Sequence, residues 1–155
     1  AEKSDWNNFQ SGSIYQGISS HKSFGTWVAQ VARISIDNNK VKVHEVHCAV
    51  DCGLVINPGI ARAQISSAII YGLSAALKSK ITINDGKVVE ANFDDFDVIR
   101  MDETPEINVY LVDSEASPKG VGEPGLPPIA PAIANAVYAA TGKRYRNLPI
   151  NLDVT

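Results

Sequence analysis

The sequence has little of several features that would assign a function directly. It contains two cysteines and 7% aromatic residues in 155 positions, and its 14 Lys and Arg are outnumbered by 17 Asp and Glu. Two cysteines cannot supply the ligand set of an iron–sulfur cluster. A chain with a net charge of −3 lacks the basic excess that holds a nucleic-acid backbone, so nucleic-acid binding is not expected.

Long apolar runs are also missing, and we expect no leader peptide. No run approaches the roughly 18 apolar residues of a membrane-spanning helix, so we predict no membrane span. The chain opens at Ala1 without the regions of a signal peptide, and we expect it to be a piece of a longer or processed chain. The sequence does not distinguish a cytoplasmic from a periplasmic location. Its length suits one domain, which we predict to span residues 1–155.

The two cysteines lie near two histidines, a composition that is typical of zinc sites; the four residues are His44, His47, Cys48 and Cys52. The apolar pattern around them predicts a strand, which would hold the two cysteines about 13 Å apart. A disulfide or a shared metal ion would then need a sharp turn between them. We therefore predict buried structural thiols and no metal site, with the metal or disulfide as the alternative.

Alternating and apolar segments predict an antiparallel strand meander. Between two of the strands, the Asn38-Asn39 pair favours a tight turn because asparagine tolerates the left-handed conformation. Asp85-Gly86 marks the apex of a hairpin in the same way. The predicted strand segments are 14–24, 26–36, 41–50, 81–89 (the hairpin) and 107–112.

Two helices complete the predicted fold. Asn57-Pro58 is a start signal, since Asn caps the first amide groups and Pro fits the first helical position, and this helix should run to about Lys78. The second helix should run from about Pro128 to Thr141 and end at Gly142. The predicted fold class is α+β, an antiparallel strand meander packed with two buried helices.

Some aromatic and basic residues have structural interpretations. Trp27, Tyr71 and Tyr138 lie in apolar surroundings and are predicted core residues. The basic run Lys143-Arg144-Tyr145-Arg146 follows the second helix. We interpret it as a set of cations that interact with the helix dipole, with a phosphate or nucleic-acid contact as the alternative.

The Gly/Pro-rich stretch before the second helix carries the candidate chemistry. Gly120 and Gly122 flank Val121 and let the backbone come close to a bulky ligand. Glu123 follows at once, and Pro124 biases it toward an extended backbone. A carboxylate held in this way suits a general base. The alternative is a turn with a solvated glutamate.

Several stretches resemble the C-terminal part of the molybdenum-binding subunit of the xanthine dehydrogenase and aldehyde oxidase family. The resemblance is closest to the isoquinoline 1-oxidoreductase type, whose large (beta) subunit binds molybdopterin. It extends from about residue 17 to residue 150. The stretches that carry it are GVGEPGLPPIAPAIANAVYAATGKR (120–144), HKSFG (21–25), CAVDCG (48–53), AQ (63–64) and MDETPE (101–106).

This resemblance implies a molybdenum hydroxylase that acts on an N-heterocycle or an aldehyde with oxygen from water. Glu123 would be the general base, Gly120, Val121 and Gly122 would lie beside the cofactor through their backbone, and Gln64 would hydrogen-bond the pterin. The pterin holds the molybdenum, so no side chain of this chain is expected to ligate the metal. The resemblance also implies a cytosine dinucleotide form of the cofactor and iron–sulfur clusters in a small partner subunit.

The family's molybdenum subunit is several times longer than this chain. We therefore expect a C-terminal domain that carries half of a site, which the remainder of the subunit completes, and that is inactive alone. After Gln64, close relatives tend to have Met-Glu-Gly-Gly where this chain has Ile65-Ser66-Ser67-Ala68. That departure motivates an alternative, a non-catalytic docking or assembly module that retains the fold.

Overall fold

The computed structural model describes residues 1–9 and 12–153. Short 3-10 turns lie at Glu2–Ser4 and Met101–Glu103. In chain order, the strands and helices of the described residues are β1 (Tyr15–Ser23), β2 (Thr26–Asp37), β3 (Lys40–Asp51), α1 (Pro58–Leu77), β4 (Ile83–Asn84), β5 (Lys87–Val88), β6 (Glu106–Leu111) and α2 (Ile129–Thr141).

Four strands form one sheet in the order β1-β2-β3-β6, and β4 and β5 form a separate hairpin. The first three strands are antiparallel neighbours, as predicted. The fourth differs from a pure meander, because β6 pairs with β3 in parallel, from Glu45 opposite Glu106 to Val50 opposite Leu111. A parallel pair needs a long crossover, and α1 lies in the connection that supplies it. The α+β class is confirmed, with a mixed sheet.

The local signals at turns and helix ends are confirmed. Asn38 and Asn39 turn the chain with φ of 48° and 57°. The Asn57 side chain accepts a hydrogen bond from the Ile60 N–H at 3.0 Å and so caps α1. α2 ends at Gly142, whose φ of 70° is the left-handed conformation that favours glycine.

The core lies between one face of the sheet and the two helices. Val28, Ala32 and Ile34 of β2 face it and are at most 1% exposed. α1 contributes Ile65, Ile69 and Leu73, none of which is exposed, although its outer residues face solvent. Each such aliphatic side chain stabilises the fold by roughly 1.5–3 kcal/mol. α1 is therefore buried along one face, and its opposite face is exposed.

The three aromatic residues predicted to be core are exposed, so that prediction is wrong. Trp27 is 53% exposed because it lies on the face of β2 opposite the helices, and Tyr71 is 71% exposed on the outer face of α1. Tyr138 is 39% exposed. Cations pack over two of the rings, with Lys22 Nζ 4.9 Å from the Trp27 ring and the Arg144 guanidinium 4.0 Å from the Tyr138 ring.

One helix of the described residues, α1, is long and apolar enough to cross a membrane when length and composition alone are considered. The central helix of a globular domain meets the same criterion. The complete burial of Ile65, Ile69 and Leu73 fits the second explanation. The prediction of no membrane span therefore has weak support.

Candidate functional site

The loop that carries Glu123 packs against the turn after β3. The Lys119 N–H donates to Cys52 O at 2.8 Å, and the Leu54 N–H donates to Ala116 O at the same distance. Gly53 lies between these two contacts with a φ of 72°, and a Cβ there would lie 2.3 Å from Ser117 O. The two backbones therefore touch directly, and this contact fixes the start of the loop.

Two buried polar side chains of β2 hold the loop on either side of Glu123. Thr26 Oγ1 donates to Gly120 O at 2.6 Å, and Gln30 Nε2 donates to Gly125 O at 2.7 Å. Both side chains are completely buried. They project from the same face of β2, because residues four apart on a strand share a face. We call this pair the β2 clamp.

Glu123 lies between the two clamp contacts and is exposed, whereas Pro124 and Gly125 behind it are buried. The Leu126 N–H donates to Glu123 O at 2.9 Å and closes a turn. A Cβ on Gly122 would meet nothing within 4 Å. The backbone under the carboxylate is therefore fixed, and the space in front of the loop is open.

Gln64 lies at the same end of the molecule, near the start of α1, and is exposed. A Cβ on Gly125 would lie 3.0 Å from the carbonyl oxygen of Ile65, the residue after Gln64. Val121 is half-buried and packs against the core, and the Gly120 backbone lies against Phe24. The structure thus brings the five predicted site residues onto two adjoining segments.

This end of the molecule forms an open face. A cavity of about 700 Å³ lies near the C-terminal end of α1 and one of about 570 Å³ lies near the C-terminal ends of both helices, and neither is lined by Glu123 or Gln64. An accessible backbone edge, a free carboxylate and an exposed amide fit one wall of a site for a large polar cofactor such as a metal-bearing pterin. The described residues do not supply a second wall.

The cysteines are free and buried, as predicted. Burial raises the pKa of the Cys48 thiol to about 12, against the smaller opposing effect of a hydrogen bond from Gln30. His44 contacts Ser35 Oγ at 2.7 Å and His47 contacts Tyr110 Oη at 3.2 Å, so both histidines have partners within the sheet. No cluster of metal-ligating side chains occurs among residues 1–9 and 12–153.

The β2 clamp was not predicted from the sequence. A signal for it was present in the sequence. Thr26 and Gln30 are polar residues that alternate along β2 with the buried apolar residues of the same face. A polar side chain in such a row needs a buried partner. The partners lie 94 and 95 residues further along the chain, so the sequence pattern alone does not identify them.

We expect Gln30→Met to destabilise the protein by about 1–3 kcal/mol, because the buried Gly125 carbonyl would lose its donor. Thr26→Val should cost about 1 kcal/mol, since water can reach the exposed Gly120. Urea unfolding measures both effects, and hydrogen exchange should show faster opening of residues 118–126. Ser20→Ala, at an exposed position of β1, is the control. Wild-type exchange rates in both clamp variants would contradict the clamp.

Comparisons with known proteins identify the class. The family model of the molybdopterin cofactor-binding domain matches residues 3–105. The chain is 37% identical over 155 residues to the beta subunit of isoquinoline 1-oxidoreductase from Brevundimonas diminuta, covering 97% of this chain and 20% of that protein. It is 36% identical over 122 residues to the aldehyde oxidoreductase molybdenum-binding subunit of Escherichia coli, covering 74% of this chain and 17% of that one.

The fold agrees. The structure of quinoline 2-oxidoreductase from Pseudomonas putida 86 superposes with a TM-score of 0.77 at 22% identity, over 83% of this chain and 18% of that chain. The chain belongs to the molybdopterin cofactor-binding domain family, within the molybdopterin-binding subunits of the xanthine dehydrogenase and aldehyde oxidase type. It spans about a fifth of the length of the curated relatives it matches. The Glu123 loop lies outside the residues that the family model matches.

Proposed function

We propose that this chain is one domain, residues 1–155, at the C-terminal end of a longer molybdenum-cofactor-binding subunit. The complete enzyme would be a hydroxylase of N-heterocycles or aldehydes. It would replace a C–H bond of the substrate by C–OH with oxygen from water, releasing two electrons and two protons. Support comes from the family and from the share of the relatives' length that the chain spans.

The observation that carries the proposal is the geometry of Glu123, whose backbone is held between Thr26 and Gln30 while its carboxylate is exposed. In the complete enzyme this carboxylate would accept one of the released protons. Within the described residues, no side chain forms a hydrogen bond with its oxygen atoms. A base with a fixed backbone loses less conformational entropy than a mobile base when it adopts the geometry for proton transfer.

The cofactor would lie against the open face of the loop. The Gly120 and Gly122 backbone allows close approach, the half-buried Val121 anchors the loop in the core, and the Gln64 amide would donate a hydrogen bond to the pterin. When bound, the cofactor supplies the redox chemistry of the reaction. We further propose its cytosine dinucleotide form, and iron–sulfur clusters in a small partner subunit that receive the electrons.

Isotope labelling of the complete enzyme tests this function. An N-heterocycle such as isoquinoline should give a product that carries ¹⁸O when turnover takes place in H₂¹⁸O, and no label when ¹⁸O₂ is the source. An aldehyde is less suitable, since it exchanges oxygen with water before it reacts. Label from O₂, or no hydroxylated product from N-heterocycles or oxidised product from aldehydes, would overturn the proposal. The 155-residue chain alone should be inactive because it supplies one wall of the site.

A second candidate is a non-catalytic docking or assembly module that retains the fold. The observation that favours it is that Glu123 and Gln64 are exposed and that neither lines either of the two cavities described above. A docking module predicts that loss of the Glu123 carboxylate changes assembly, whereas the catalytic domain predicts that it changes turnover in a normally assembled enzyme.

A further inference from the structure

A second region with the features of a binding site lies near the far ends of the two helices. A cavity of about 570 Å³ is lined there by four cationic side chains and the amides of Asn147 and Asn151, and no carboxylate lines it. The cations are Lys80, Lys143, Arg144 and Arg146. Four of the 14 Lys and Arg of an acidic chain thus share one cavity.

Interaction with the negative C-terminal ends of the helix dipoles does not explain why these four cations lie together. The dipole effect on a cation is confined to the last turn of a helix. Neither α1 nor α2 has a basic residue in its last turn. Lys80 and Lys143 lie beyond the C-cap residues of these helices, Lys78 and Gly142, and both arginines lie farther along the chain still.

The cavity wall is fixed by contacts with the rest of the fold. The Ile150 N–H donates to Ala76 O at 2.7 Å and ties the C-terminal segment to α1. Tyr145 is half-buried and packs against the core. Arg144 lies over the Tyr138 ring, 4.0 Å from its centroid. These contacts fix the backbone that follows α2 and the position of one of the guanidinium groups, that of Arg144.

The charges of this cavity are not neutralised by neighbouring side chains. Elsewhere, Arg33 pairs with Glu45 at 2.6 Å and Lys78 pairs with Glu103 at 2.6 Å. Within the part of the chain that the structure describes, none of the four cavity cations forms an ion pair. The cavity is therefore a positively charged site on a protein of net charge −3.

This site is separate from the Glu123 loop. Glu123 precedes α2 and the basic run follows it, and the 13 residues of α2 span about 20 Å. A small ligand bound in this cavity would therefore lie apart from the Glu123 loop.

We propose that this cavity binds a small anion that carries a diphosphate group. Its volume lies within the range of small-molecule sites, roughly 300–1,000 Å³. The two guanidinium groups can each donate paired hydrogen bonds to phosphate oxygens, the ammonium groups add charge, and the two amides can donate further hydrogen bonds. A diphosphate supplies several negative charges in a volume that this cavity admits.

Titration of the full chain with inorganic pyrophosphate at physiological salt tests the proposal. Saturable binding is expected, weakened roughly tenfold or more in Arg144→Gln/Arg146→Gln. The matched control is Lys22→Gln/Lys87→Gln, which removes the same charge from residues that line neither cavity. We expect its affinity to stay within about twofold of wild type, because distant exposed charges are screened.

Three outcomes would overturn the site. The first is no saturable binding by the wild-type chain. The second is an equal loss in the control variant, which would indicate a general charge effect. The third is tighter binding of an acidic peptide than of pyrophosphate, which would indicate a protein partner. Circular dichroism of each variant verifies its fold, and Arg146→Lys keeps the charge while removing the paired donors, so an intermediate loss is expected there.

Discussion

Replacing Glu123 by Gln in the complete enzyme is expected to lower kcat by about 10²–10⁴-fold, the range for loss of a general base. The amide has nearly the same shape as the carboxylate but does not accept a proton at neutral pH. Because Glu123 is exposed and its described hydrogen bond is made by its backbone carbonyl, the fold should not change. Unfolding and molybdenum content should therefore match wild type.

The matched control for this variant is Glu115→Gln, which removes an exposed carboxylate from the same connection between β6 and α2. It should leave kcat unchanged. Glu123→Asp keeps the carboxylate but shortens the side chain by one methylene. Its kcat should lie between the kcat of Glu123→Gln and that of Glu115→Gln. Near-wild-type turnover of Glu123→Gln at full molybdenum content would contradict the assignment of the base. A loss of molybdenum in that variant would instead indicate a role in cofactor binding.

Local chemistry made much of the fold predictable. The cap at Asn57, the left-handed ends at Asn38-Asn39 and Gly142, and the Asp85-Gly86 turn each depend on the conformational preference of one or two residues. Such preferences act over a few residues and can therefore be recognised from the sequence alone. They fixed the extents of both helices and the first three strands to within about two residues of the structure, within the accuracy expected of boundaries.

Long-range relations were not predictable in the same way. The parallel pairing of β6 with β3 depends on how the intervening chain crosses over, and the burial of Thr26 depends on a loop 94 residues away. The apolar surroundings of Trp27 in the sequence predicted a core residue, yet Trp27 is 53% exposed. A hydrophobic pattern shows which residues have apolar side chains. It does not show whether another segment covers them, because that depends on the rest of the fold.

The candidate site shows the same division. The glycines and the proline around Glu123 predicted, from residue types alone, a loop that allows close backbone approach and an extended backbone at Glu123. Its orientation depends on the β2 clamp, whose members lie about ninety residues earlier in the chain. Sequence resemblance identified the loop, and the tertiary hydrogen bonds explain why its backbone has one position. The position of the loop backbone therefore depends on β2.

Gly17→Ala is expected to destabilise the protein by about 3 kcal/mol or more, at the upper end of overpacking effects. A Cβ on Gly17 would lie 2.0 Å from Ala132 O and 2.2 Å from Ala136 N, both in the backbone of α2. Backbone atoms cannot rotate away as a side chain can, so α2 would have to move as a unit. That movement would also strain the bond from the Asn135 amide to Ile18 O, which measures 2.9 Å.

Gly12→Ala is the matched control, because a Cβ there would meet nothing within 4 Å and the substitution should change stability by less than about 0.5 kcal/mol. Urea unfolding of both variants gives the comparison. Equal stability of Gly17→Ala and wild type would contradict the direct packing of the α2 backbone against β1. Because the Glu123 loop leads into α2, a shift of this helix should also loosen residues 120–125, which hydrogen exchange would detect. Gly17 thus links the packing of the core to the position of the proposed base.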